Sequence, residues 1–340
     1  MSVTHRATDA PPITAAPVTL SGVGHYFPGE PLTNAYFEGL EDLDVTDEWI
    51  RRHTGVQSRH WPEDENERHV EMGREAALRA LDDAGLTPDD VDVLIGTTAT
   101  ARPRTNRSSA GNRYMDISLP LQHELGVKQA VCFDVTAVAC AGFLYGSVVA
   151  RSLLGSLGVR NALVVCAERP QDILNTRFRN SVLFGAGAGA AVWTRDDDRP
   201  ESGLIDAVLR SDGEHYGAFD IDDNDRMVMK GKLVGELGPD LLTDAATRIL
   251  ERNGLTSQDV RWIIPHQGNL NMIQEVAKRL DAPEDKVLLN LPHRGNTSSV
   301  GVPSCLSEHI ASGVVEPGDL ILSISIGRGF SWGAMLYRYQ

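Results

Sequence analysis

The chain has 340 residues, 41% of them hydrophobic and 23% charged, a composition of folded globular proteins that argues against intrinsic disorder. Acidic side chains outnumber basic ones 47 to 32, and a formal charge of -15 with no Lys/Arg-rich run sets the chain against a phosphate backbone as partner. No run of about 18 uninterrupted apolar residues predicts a membrane span, and the four cysteines, Cys132, Cys140, Cys166 and Cys305, lack the CxxC spacing of a disulfide framework or zinc site, which fits a soluble protein of a reducing cytoplasm without a bound metal.

Residues 1–16, rich in Ala, Pro and Thr and without the apolar stretch of a secretory signal, read as a flexible leader. Residues 76–98, AALRALDDAGLTPDDVDVLIGTT, read as a helix with apolar residues at helical spacing, stopped by Gly85 and followed by an apolar strand. The segment ARPRTNRSSAGNRYMDISLP comes next, then a strand at VCFDV and a long helix, AGFLYGSVVARSLL, that starts at Cys140. An apolar strand at Ala162–Val165 precedes LFGAGAGAAVW. Its Gly185, Gly187 and Gly189 look superficially like a dinucleotide loop, but the run leads into a strand rather than opening a helix, so tight packing is the better reading.

Residues 245–267, AATRILERNGLTSQDVRWIIPHQ, then repeat residues 76–98 at a constant offset, with Leu81/Leu250, Gly85/Gly254, Thr87/Thr256, Asp90/Asp259 and Ile95/Ile264 among the identical pairs. A strand at KVLLNL, a helix from about Ser298 and an apolar strand at Leu320–Ile326 complete the second half. The repeat divides the chain into residues 17–196 and 197–340, two α/β halves whose near-continuously apolar strands predict sheets covered on both faces. Corresponding loops of such halves converge near the pseudo-twofold axis, where one site can draw residues from both.

Three side chains follow strands in this way: Cys140 in DVTAVACAGF, His266 in IIPHQGN and Asn296 in PHRGNTSS. At a helix start, the macrodipole and free N–H groups favour a Cys140 thiolate. Taken singly, these are a small buried hydrophobe, a capping histidine and a turn asparagine. Together they provide a nucleophile to hold an acyl group and two donors to stabilise an enolate oxygen, the requirements of a decarboxylating acyl transfer.

From about residue 19 onward the sequence resembles the β-ketoacyl-ACP synthase III branch of the thiolase-like superfamily. The segments that carry the resemblance are GVGHYFPGEPLTN, DEWIRRHTGV with SRH, ACAGF, LFGAGAGAAVW, PHQGN, GNTSS with GVPS, and GRGFSWGA, in that order. The resemblance implies a duplicated, thiolase-like five-layered αβαβα fold and a cytoplasmic homodimer. It implies Cys140, His266 and Asn296 as the catalytic set, and an oxyanion hole made by the backbone N–H groups of Cys140 and Arg328. Substrate contacts fall at Trp49 and Arg52. No cofactor is expected to stay bound; the substrates are an acyl-CoA or acyl-ACP donor and malonyl-ACP, carried as coenzyme A or phosphopantetheine thioesters. The acyl carrier protein is thus a partner, in fatty acid or polyketide biosynthesis.

The sequence departs from the family at four places. His53 replaces an arginine that assists coenzyme A binding, and Asn271 replaces one that helps to receive the carrier, leaving Arg51, Arg52, Lys230 and Lys232 as candidate cations. The 97–126 interval is about ten residues longer than in compact members, which reads either as shaping the pocket for a specialised acyl group or as a longer surface loop. Arg328 occupies a position that is usually small, its side chain expected in solvent. The leading expectation is a synthase III-type condensing enzyme priming a polyketide or specialised fatty chain. The alternative is a synthase-like acyltransferase that passes the acyl group from Cys140 to a hydroxyl or amine with His266 as general base. A non-catalytic heterodimer subunit is disfavoured by the presence of all three site residues.

Overall fold

The computed structural model describes residues 16–40, 43–101, 115–136, 138–175, 177–198 and 203–340. The expected leader, except for Ala16, and positions 102–114 of the longer interval lie outside the described residues. In chain order the elements that frame the site are β1 (Val18–Tyr26), α1 (Asp47–Thr54), α2 (His69–Asp83), β2 (Val93–Thr97), β3 (Val131–Asp134), α3 (Gly142–Leu157), β4 (Asn161–Glu168) and β5 (Gly187–Arg195). The second half contributes β6 (Gly203–Ser211), α4 (Gly231–Arg252), β7 (Trp262–Pro265), α5 (Leu270–Arg279), α6 (Gly301–Ala311), β8 (Leu320–Gly327) and β9 (Ser331–Arg338).

The strands pair as β1-β5-β4-β2-β3 in one sheet and β6-β9-β8-β7 in the other, the same order in each half apart from the additional edge strand β3 of the first. Parallel pairs (β2 with both β4 and β3 in the first sheet, β7 with β8 in the second) sit beside antiparallel neighbours. The repeated sequence folds twice into the same local device: Thr87 N and Oγ1 donate to Asp90 Oδ2 at 2.8 and 2.7 Å, and Thr256 N and Oγ1 donate to Asp259 Oδ2 at 2.7 and 2.7 Å. This side-chain turn reverses each chain between helix and strand.

Helix α2 covers the outer face of the first sheet, α4 covers that of the second, and α3 and α6 lie between the sheets. The five-layered αβαβα order follows. The sheets are wrapped on both sides, and β4 and β8 are accordingly buried at every position, as their near-continuous apolar runs predict. In the central layer Trp193 of β5 and Tyr337 of β9 meet edge to face, ring centroids 6.1 Å apart, and Trp193 Nε1 donates to Ser147 Oγ of α3 at 3.1 Å. Burial of each such ring contributes about 2 kcal/mol or more.

The helix over Ala139–Leu157 is apolar and long enough to cross a membrane by length and composition, and it is packed against strands of both sheets. One expectation is revised. The expected strand in KVLLNL shrinks to a single bridge between Ile263 and Val287. Gln267 takes the place of a ladder neighbour: its Nε2 donates to the Leu288 carbonyl at 3.3 Å, and its Oε1 accepts from Asn290 N and Leu291 N at 3.0 and 3.1 Å.

Candidate active site

Cys140 sits in a short 3-10 turn, Ala139–Ala141, that runs directly into α3. The preceding Ala139 takes a left-handed φ of 46°, an uncommon choice for a residue with a Cβ, which sharpens the turn. The other half of the molecule holds this turn in place. Ser325 of β8 donates to the Cys140 carbonyl at 2.7 Å. Gly327, at the end of β8, lies so close that a Cβ there would stand 1.9 Å from the Val138 oxygen and 2.9 Å from Cys140 N. The turn that carries Arg328 is thereby packed against the peptide of Cys140.

His266 follows β7 and its N–H continues the ladder to the Ile324 carbonyl at 2.7 Å. Asn296 is fastened across the halves: its N–H donates to Leu183 O at 2.7 Å, and its carbonyl accepts from Gly185 N at 3.0 Å. Gly185 must lack a side chain, because a Cβ would meet the Arg294 oxygen at 2.1 Å. The glycine run thus serves close packing. Asn296 Oδ1 accepts from Ser298 N at 2.9 Å, which assigns the other amide end, Nδ2, as the donor left to face the site.

Cys140, His266, Asn296, Ser298 and Arg328 all line one cavity of about 930 Å³, a volume that suits an extended thioester arm with its acyl group. Cys140 is part-exposed, but to this cavity rather than to bulk solvent. Burial therefore pushes its thiol up to about 12; the neighbouring Ser298 hydroxyl, which has no partner of full hydrogen-bond geometry among the described residues, offsets part of this, and the Glu168 charge adds to it. The thiolate expected from the helix start is corrected accordingly: desolvation outweighs the helix terminus, and the resting nucleophile is a thiol. Burial also takes His266 down to about 4, so its ring is neutral at physiological pH, and its Nδ1 has no hydrogen-bond partner among the described residues.

The rim is built from two capped helices. Thr46 caps α1 by accepting from Trp49 N at 3.1 Å, and Asn269 caps α5 by accepting from Asn271 N at 2.9 Å. Asn269 Nδ2 and Asn271 Nδ2 both donate to the His53 carbonyl, at 2.9 and 3.2 Å, so Asn271 ties the helices together. The His53 ring stacks on Trp49 with centroids 4.4 Å apart, and Arg179 covers Trp49 at 5.5 Å. Of the residues expected at the substrate, Trp49 and Arg52 stand back from the cavity lining, while His53, next after Arg52, joins it. Among the candidate cations Arg51 is paired with Asp47 at 2.7 Å and Lys232 lines the cavity. Arg328 is corrected as well: its Nε donates to Phe219 O at 3.1 Å, fastening the turn to the short hairpin Phe219–Ile221 and Met227–Met229 that also lines the cavity.

The wall behind Leu183 rests on Arg59, which is fully buried and donates to Asn34 Oδ1 at 2.7 Å and Val182 O at 2.5 Å; desolvation brings its guanidinium down to about 9. Sequence reasoning missed this arginine and also Glu168, a fully buried acid that lines the cavity at the end of β4. One signal was available for Glu168, a lone charge closing an otherwise apolar strand.

Comparison with known proteins gives a consistent result. Residues 250–339 match the family described as 3-oxoacyl-[acyl-carrier-protein (ACP)] synthase III C terminal, and residues 133–213 match 3-oxoacyl-[acyl-carrier-protein (ACP)] synthase III. The chain is 35% identical over 338 residues to the beta-ketoacyl-[acyl-carrier-protein] synthase III of Jannaschia sp. (strain CCS1), covering 96% of this chain and 99% of that one. It is 34% identical over 332 residues to the protein of the same name from Chelativorans sp. (strain BNC1), covering 94% and 99%. Among solved structures, 3-oxoacyl-[acyl-carrier-protein] synthase III from Aquifex aeolicus VF5 superposes with a TM-score of 0.86 at 33% identity, covering 95% of this chain and 100% of that one. The priming beta-ketosynthase from the R1128 polyketide biosynthetic pathway gives 0.85 at 32%, covering 98% of both.

Proposed function

The chain belongs to the 3-oxoacyl-[acyl-carrier-protein] synthase III family of condensing enzymes, and from that premise we propose that Cys140, His266 and Asn296 carry its reaction. The observation that supports this assignment is the meeting of the three on one cavity, with Oδ1 of Asn296 already engaged and its amide N–H₂ left for substrate. Cys140 Sγ attacks the carbonyl of the donor thioester, the bond to the donor sulfur breaks, and the departing thiolate takes up a proton as the acyl-cysteine forms. The oxyanion of each tetrahedral intermediate lies against the N–H groups of Cys140 and Arg328.

Malonyl-carrier then enters, and its carbon–carboxylate bond breaks to release carbon dioxide. The enolate oxygen accepts hydrogen bonds from the neutral His266 ring and from Asn296 Nδ2, both pre-aimed in a site shielded from bulk water, where such donors act most strongly. Its carbon attacks the acyl-Cys140 carbonyl and expels the cysteine sulfur, giving a β-ketoacyl thioester on the carrier. The substrates themselves bring the coenzyme A or phosphopantetheine arm; the cavity, with His53 and Lys232 among its lining residues, is where that arm would thread.

In our reading the enzyme primes a polyketide or specialised fatty chain, which the likeness to a priming ketosynthase and the longer 97–126 interval support. It works as a homodimer, supported by the edge strand β3, where Val131 and nearby Leu119 are exposed. The test is to incubate purified protein with a panel of acyl-CoA and acyl-carrier thioesters, follow intact mass with Cys140→Ala as control, and add malonyl-carrier. Acylation of Cys140 followed by carbon dioxide release and a β-keto product is the expected result. An ester or amide product formed without carbon dioxide release would replace condensation with simple acyl transfer.

A further inference from the structure

Glu168 ends β4 with no solvent exposure, and every partner it has among the described residues is a neutral donor. On its own half of the molecule, its oxygens accept from Ala99 N at 3.0 Å, Thr100 N at 3.1 Å, Thr100 Oγ1 at 2.8 Å and Thr98 Oγ1 at 3.3 Å. From the other half it accepts from Ser299 Oγ at 2.6 Å and Ser299 N at 3.4 Å. The nearest cation in sequence, Arg169, pairs with Asp172 instead. A buried carboxyl group whose partners among the described residues are all neutral is costly to keep.

Its connections give it a use. Ser299 is the last residue of the turn Asn296–Ser299, in which Ser298 holds a left-handed φ of 52° and donates its N–H to Asn296 Oδ1. Glu168 grips the far end of this turn, and the Leu183–Gly185 backbone grips the near end. The turn that carries Asn296 is therefore held at both ends by the opposite half. The grip on Thr98–Thr100 joins the same carboxylate to the loop after β2, whose Thr98, Ala99 and Thr100 form the cavity wall beside Cys140.

We propose that Glu168 is a positioning residue of the condensing site: through Ser299 it fixes the aim of the Asn296 amide at the enolate. This rests on the reading of Asn296 as an enolate donor. The arrangement also has a side effect that separates it from plain scaffolding. The Glu168 charge acts on Cys140 and opposes its ionisation, so its removal must leave a trace on thiol reactivity that a loosened turn alone does not. The other titratable and charged groups near the carboxylate are Cys166, whose thiol the same charge also raises, and His69, which reaches Thr100 Oγ1 at 2.9 Å; the Arg169–Asp172 pair lies just beyond.

Two variants separate the effects. Glu168→Gln keeps the shape, removes the charge and turns an N–H₂ group toward N–H and O–H donors. Ser299→Ala cuts the tether and keeps the charge. For both, the expected result is a fall in kcat for malonyl-thioester decarboxylation of about 10-fold to 100-fold with KM little changed, since the enolate donor is displaced and the arm's binding is not. Alkylation of Cys140 by iodoacetamide at pH 8 should quicken in Glu168→Gln and stay at the wild-type rate in Ser299→Ala. If decarboxylation by Ser299→Ala stays within about threefold of wild type, the proposal is overturned. Unchanged alkylation in a folded Glu168→Gln also overturns the electrostatic part, and if that variant does not fold, Ser299→Ala decides alone. A wild-type protein that acylates Cys140 and never decarboxylates malonyl-carrier would instead refute the condensing assignment on which the proposal stands.

Discussion

Gly327→Ala tests how the two halves make one nucleophile. The added methyl would stand 1.9 Å from the Val138 oxygen, whereas ordinary contact begins at 3.4 Å, so the strand end and the Cys140 turn must separate by about 1.5 Å. That displacement moves the Arg328 N–H away from the Cys140 N–H, and a misplacement of this size costs about 100-fold in rate, or about 2.7 kcal/mol of transition-state stabilisation. Overpacking should also lower global stability by about 1–3 kcal/mol. Time-resolved intact-mass measurement of acyl-Cys140 gives the first quantity, and urea denaturation followed by tryptophan fluorescence gives the second. Malonyl decarboxylation measured separately should suffer less, because His266 and Asn296 are held by other contacts. Acylation within about threefold of wild type would show that the oxyanion turn does not depend on this close approach.

Further outcomes follow from the same geometry. Asn296→Ala should lower carbon dioxide release about 100-fold or more while Cys140 still acylates, a contrast read by gas release against intact mass. Because burial holds His266 at about 4 in the fold against an ordinary 6.5, the unfolded chain takes up a proton between these values that the folded chain refuses. Its contribution to stability is therefore full above about pH 6.5 and is lost as pH falls toward 4, up to about 3 kcal/mol, and His266→Asn should flatten the urea midpoint over that window. Arg59→Met should destabilise by about 2–4 kcal/mol in thermal or urea melts, since Asn34 Oδ1 and Val182 O lose their buried donor.

Much of this architecture was legible in the chain. The repeat of residues 76–98 at 245–267 announced two equivalent sheets because the same Leu-Thr-x-x-Asp-Val run must reverse direction between the same elements. Strand-end placement brought Cys140 and His266 to one cavity, since loops after equivalent strands converge, and Asn296 joins them from a segment that keeps only a single bridge of the expected strand. Side-chain substitution for backbone was not legible: Gln267 supplies hydrogen bonds that a strand at KVLLNL would have supplied, and no periodicity records that. The state of Cys140 was misjudged because a helix start can be read from sequence, whereas the enclosure that desolvates the thiol depends on residues from both halves. Arg59 was invisible for the same reason, its partners being spread over distant segments, and Glu168 left only the trace of a lone charge closing an apolar strand.

The clasp between Phe184–Gly185 and Asn296, and the bond from Ser325 to Cys140 across 185 positions of sequence, also bear on how the molecule comes into being. Each joins segments that emerge from the ribosome far apart in time, and such non-local closures are slow because the intervening chain must be ordered first. An N-terminal half docked early has its nucleophile on an untethered turn until β8 arrives. The onset of Cys140 acylation during refolding should therefore trail the recovery of helical signal, making the chemistry itself a clock for the final assembly of the two halves.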